Sequence, residues 1–169
     1  SDNPGNFYNA NPSQYLWDNN SFWSGDSNGY HSGENSVPGH FTIDLGVTTQ
    51  LAKAKIHHRP TWSFVGNNPT QIEIWGRDDI DNAETLPVFE SSGNNVISDP
   101  VLTSDFENAG WQLITTESIN GGGSDFAEFD IPAGPMVRFI RIRFVSTVEG
   151  SACQFIEMEF RGMGAIPAN

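Results

Sequence analysis

Polar and apolar residues alternate with a period of two along much of the chain. Phe41, Ile43 and Leu45 fall on one side of HFTIDLG, and Ala52, Ala54 and Ile56 on one side of LAKAKIHHR. Ile140, Ile142 and Phe144 oppose Arg141 and Arg143 in VRFIRIRFVS, as Ile156, Met158 and Phe160 oppose Glu157 and Glu159 in QFIEMEFRG. Such alternation belongs to a strand with one buried face. TQIEIWGR, LPVF, WQLITTE and FAEFDIP complete the predicted strands, with Asn, Asp, Gly, Pro and Ser concentrated between them. No capped, apolar-periodic stretch of helical length interrupts the series, which argues against a parallel sheet with crossover helices. The pattern predicts an all-β fold, an antiparallel β-sandwich.

The same pattern sets the domain boundaries. Residues 1–10, SDNPGNFYNA, read as an irregular N-terminal segment, residues 11–162 as one β-sandwich domain, and residues 163–169 as a C-terminal tail. Residues 81–110, rich in Asp, Asn, Gly and Ser, read as an elaborated surface loop joining two strands.

Composition narrows the function classes. A formal net charge of -13 surrounds the protein with a field that repels phosphate backbones and anionic lipid surfaces, so nucleic acid is excluded as a partner. No apolar run approaches the length that crosses a bilayer. With one cysteine, Cys153, no intrachain disulfide can form; its small and apolar neighbours in SACQFI make it a packing residue. No Gly-x-Ser-x-Gly elbow, His-Glu-x-x-His pair or phosphate-cradling glycine motif occurs, and Asp78, Asp79, Asp81 and Glu84 read as solvated loop charges. The sequence is read as non-enzymatic.

Two stretches carry candidate chemistry. In LWDNNSFW, Asp18, Asn20 and Ser21 crowd oxygen donors into one short turn, which suits a hard cation such as calcium if a second segment adds a carboxylate. In KIHHRPTWSFVGNN, the strand end at His57, His58 and Arg59 runs into a loop with Trp62, Phe64, Asn67 and Asn68. An apolar ring on which a pyranose face can stack, beside planar polar groups that bond adjacent hydroxyls, is what sugar recognition requires. His57 and His58 do not form a metal pair, because consecutive strand residues point to opposite faces.

The order LWDNNSFW, HFTIDLG, KIHHRP, IEIWGRDD, GWQLI, VRFIRIRF, IEMEFRG resembles the coagulation factor V/VIII type C family, the discoidin-like or galactose-binding-like jelly roll. The forms FWSG, FTIDLG, NPTQIEIWG and GWQLI look most like discoidin-like domains of unassigned function at the cell surface of gut Bacteroidetes. The resemblance implies a non-catalytic carbohydrate-binding module, extracellular or on an outward-facing outer membrane surface, within a multidomain glycan-utilisation protein. A protein-interaction or structural module in a cell-surface assembly is the alternative, since interfaces favour the same Trp, Tyr and Arg residues. By position in the family, Arg59 and His31 are the sugar contacts, joined by Trp62 and Asn67. The first Glu of the Glu-x-Glu pair, Glu157, supplies the carboxylate of a structural calcium site with Asp18, Asn20 and Ser21. Trp17, Phe22 and Trp23 then fasten the N-terminal segment to the sandwich, and Trp75 and Trp111 join the core.

Overall fold

The computed structural model describes residues 19, 21, 29–32, 37–60, 65–79, 106–122 and 124–167. The predicted LPVF strand, and Trp17, Phe22 and Trp23, lie outside them. Among the described residues eight strands follow in chain order: β1 (Tyr30–His31), β2 (Gly39–His57), β3 (Pro69–Arg77), β4 (Gln112–Ser118), β5 (Phe126–Asp130), β6 (Met136–Thr147), β7 (Gln154–Phe155) and β8 (Glu157–Pro167). Every pairing among them is antiparallel. The fold is an antiparallel β-sandwich, as the alternation predicts.

Strand β2 serves both layers. HFTIDLG and LAKAKIHH, read as two strands, are one 19-residue strand. Its first half pairs with β6, which carries β3 and then β4; its second half lies between β5 and β8. The change occurs where Gly46 adopts a φ of 70° and the register shifts between Asp44 and Thr49. Asp44 Oδ1 accepts the Gly46 N–H at 2.8 Å, a local bond that holds this bend.

The core lies where the patterning places it. Phe41, Ile56, Ile140, Ile142, Phe144 and Met158 are buried, with Ile72 and Ile74 from β3. Tyr30 packs its ring 5.2–5.4 Å from those of Phe155, Phe41 and Phe144, locking the short β1 onto the sandwich. Trp111 is buried with Phe106 and Phe139 in a second cluster, against which Trp75 packs half-buried.

Alternation and burial disagree at several positions, His40, Thr42 and Glu157 among them, and two departures change the reading. Arg141, opposite the core-facing residues of β6, is fully buried too. The turn at residues 106–110 and Trp111 cover that outer face, and the Arg141 guanidinium stacks 4.2 Å from the Trp111 ring and 5.0 Å from Phe106. Its Nε–H donates to Thr42 Oγ1 at 3.0 Å. The second departure corrects a boundary: Met163–Pro167, read as part of a tail, continue β8, with Thr48 opposite Ile166 and Val47 opposite Pro167. Glycines at 162 and 164 and exposed side chains through Ile166 weaken the strand signal there, but pairing with β2 supplies the missing backbone partners.

Candidate functional site

The end of the sandwich near Arg59 gathers three of the sequence-predicted ligand residues around a fourth side chain, Gln154. Strand β1 places His31 opposite Gln154 of β7. Gly29 makes this approach possible: its φ is 91°, and a side-chain carbon there would lie 2.6 Å from the Phe155 carbonyl oxygen. Ser32 closes the pair, its N–H donating to the Cys153 carbonyl at 2.9 Å and its Oγ accepting the Cys153 N–H at 2.7 Å. Cys153 is wholly buried and burial pushes its thiol pKa well up, in keeping with a packing role.

Arg59 follows the end of β2 and is itself buried. Its guanidinium Nη1 donates to Gln154 Oε1. Asn67, the last residue of a 3-10 turn over Val65–Asn67, directs Nδ2 to the same oxygen at 3.4 Å. Gly150 leaves the space that the Asn67 side chain needs. The Gly66 carbonyl accepts from the backbone N–H groups of Glu149 and Gly150 at 2.8 and 3.0 Å, fixing that turn.

Asn68 holds the arrangement from behind. Completely buried, it accepts the Arg59 N–H at 3.0 Å and donates to the Arg59 and Gly121 carbonyls at 3.0 and 2.8 Å. The amide thus satisfies backbone groups that a loop at this depth would otherwise leave unpaired.

The result is a largely buried set of planar donors and acceptors: the Arg59 fork, the Asn67 and Gln154 amides and the His31 ring. Planar groups of this kind suit adjacent hydroxyls. Trp62, expected as the stacking plate, lies outside the described residues. Gln154 is the residue that sequence reading misses. Its signal is a polar side chain inside the buried run ACQFIEM, which alternation alone does not flag.

The two histidines diverge as strand geometry requires. His57 Nε2 lies 2.7 Å from Glu159 Oε1, whose carboxyl pKa this contact holds below the ordinary range. His58 is buried, with Nδ1 3.1 Å from the Ser124 carbonyl, and burial lowers its pKa.

Of the predicted metal ligands, Asp18 and Asn20 lie outside the described residues, and Ser21 is exposed. Glu157, at the start of β8, is buried, and its Oε1 accepts the Asn19 backbone N–H at 3.0 Å. The early turn therefore does meet the last strand. Among the described residues no group of three His, Cys, Asp or Glu side chains converges as a metal site.

Solved structures of similar fold include carbohydrate-binding modules. A SusE-like protein matches with a TM-score of 0.64 at 20% identity, over 90% of this chain and 87% of that one. A family 32 carbohydrate-binding module of C. perfringens NanJ, solved with galactose, matches with a TM-score of 0.62 at 12% identity, over 95% and 91%. The C-terminal domain of a Bacteroides fragilis chitobiase matches at 0.61 and 16%, over 100% and 93%. At these identities the likeness establishes the fold, an antiparallel β-sandwich. No curated protein sequence matches significantly. One family model, DUF5000, described as a domain of unknown function, matches residues 17–162, and the chain belongs to that family.

Proposed function

We propose that this domain is a non-catalytic carbohydrate-binding module of the discoidin-like, factor V/VIII type C kind, carried by an extracellular or cell-surface glycan-utilisation protein. One observation carries the reading: residues distant in sequence, His31, Arg59 and Asn67, converge on Gln154 at one end of the sandwich. Similar folds include a module solved with galactose and another with GalNAc, which supports a sugar as the ligand. Among the described residues no helix is long and apolar enough to cross a membrane.

Arg59 and Asn67 bond adjacent sugar hydroxyls, His31 bonds a third, and Trp62 supplies the stacking surface. Gln154 does not need to touch sugar; it orients both neighbours through one oxygen. Titration with galactose-, GalNAc- and fucose-containing oligosaccharides is the test. Binding should fall at least about tenfold in Arg59→Ala and in Asn67→Ala, equivalent to the loss of one or two hydrogen bonds, with the far-ultraviolet circular dichroism of both variants unchanged. Absence of binding by the parent protein across a broad glycan array would reject the reading.

We further propose that Asp18, Asn20, Ser21 and Glu157 hold a structural calcium ion. Glu157 fits the carboxylate role, since it is buried where the early turn returns to β8. Bound calcium would draw the turn's oxygens and this carboxylate together, joining the domain's beginning to its end. Chelation should lower the melting temperature, and added calcium but not magnesium should restore it. An unchanged midpoint, with no calcium by elemental analysis, would remove the site.

A further inference from the structure

Strand β8 has a neighbour on one side only among the described residues, and its other edge borders a groove of about 660 Å³. Four consecutive residues of β8, Met158, Glu159, Phe160 and Arg161, line that groove, facing Ile43, Asp44 and Leu45 of β2. Consecutive strand residues point to opposite faces, so a groove that touches all four runs along the strand edge, where unpaired backbone groups lie. The edge is not blunted by lysine, and proline first occurs at its far end, Pro167. Met163 and Ile166, 57% and 59% exposed, are the two most exposed large apolar side chains among the described residues, and both lie on this strand.

Charge points to the occupant. Of the eight Lys and Arg residues, Lys53, Lys55, Arg77, Arg138 and Arg143 are paired with carboxylates, Arg59 is bonded to Gln154 and Arg141 to Thr42. Arg161 alone, exposed on the edge strand, lacks a partner among the described residues. The sequence around it, Glu159-Phe160-Arg161, is complementary to itself when reversed. In an antiparallel pair centred on Phe160, Glu159 of each strand faces Arg161 of the other, and the two Phe160 rings become cross-strand neighbours beside Ile43 and Leu45.

From this we infer that the β8 edge is a self-association surface, which a second copy of this chain occupies by pairing β8 with β8 about a two-fold axis at Phe160. The interface is isologous, so each half supplies one acid and one base. It joins the two β5–β2–β8 layers into one continuous sheet. The net charge of -13 on each copy opposes approach at long range. Salt therefore strengthens the association, because it screens the distant repulsion more than the contacting pairs.

Sedimentation equilibrium of the full chain over a roughly hundredfold concentration range, at low and moderate salt, tests this. The expected result is a monomer–dimer equilibrium that shifts toward dimer with salt. Arg161→Glu and Glu159→Lys should each be monomeric, because each faces like charge across the axis. Their equimolar mixture should dimerise, since the acidic pair on the edge of one variant then faces the basic pair on the edge of the other. A monomeric parent protein at every concentration, or a dimer undiminished by Arg161→Glu, would overturn the assignment. So would a mixture of the two variants that stays monomeric while each melts like the parent.

Discussion

Asn68→Ala should lower the stability of the domain by about 4 kcal/mol, the sum of three buried backbone groups each losing a partner at roughly 1–3 kcal/mol. The Arg59 N–H, the Arg59 carbonyl and the Gly121 carbonyl all depend on this one amide, which has no exposed surface. Because Asn68 sits directly behind Arg59 and next to Asn67, the variant also loosens the two residues that converge on Gln154. For a chain of this size the melting temperature should fall by about 10 °C. Asn68→Asp makes the mechanism visible. It keeps an acceptor for the Arg59 N–H but sets a carboxylate against two carbonyls, so its stability should recover as acid protonates it. Parent-like melting of Asn68→Ala would mean that the amide is replaceable by water and that the Arg59 loop is not built on it.

How far these features are legible in the sequence depends on whether they arise locally. Alternation in β6 and β8 reports directly on which residues face the core, because strand geometry imposes it regardless of what lies across the sheet. It fails at Arg141, whose burial is decided by Phe106 and Trp111, residues some 30 positions earlier that fold over the outer face. The continuation of β8 through Met163–Pro167 is likewise a property of the pairing with β2, since a run of Met, Gly, Ala and Ile has little strand preference of its own. At the candidate site, Arg59 and Asn67 can be picked out because a strand end followed by amides and aromatics has a recognisable chemistry. Gln154 cannot, because its role comes from the register that sets it against His31.

His40 should make the domain acid-sensitive well above the carboxylate range. The residue is only 3% exposed, its ring is packed edge-on to Phe106 at 5.2 Å, and Nε2 has no hydrogen-bond partner among the described residues. Burial, reinforced by the positive charges of Arg141 and Arg143, lowers its pKa from 6.5 to about 3. Between these values the unfolded chain binds a proton that the folded protein refuses, so stability falls as pH decreases, by about 1.4 kcal/mol per pH unit and by about 5 kcal/mol in all. Asp44 and Glu159, whose carboxyl pKa values are held low by Arg138 and His57, lose their contribution only as pH falls through the carboxylate range. His58, also buried with a lowered pKa, acts in the same direction as His40. Chemical unfolding at about pH 7 and about pH 5 therefore separates the histidines from the carboxylates. His40→Phe, which keeps an aromatic edge against Phe106 and removes the titrating group, should lose most of the decline between those two conditions, leaving the part due to His58. An equally steep decline in that variant would show that His40 can take up a proton without leaving its site.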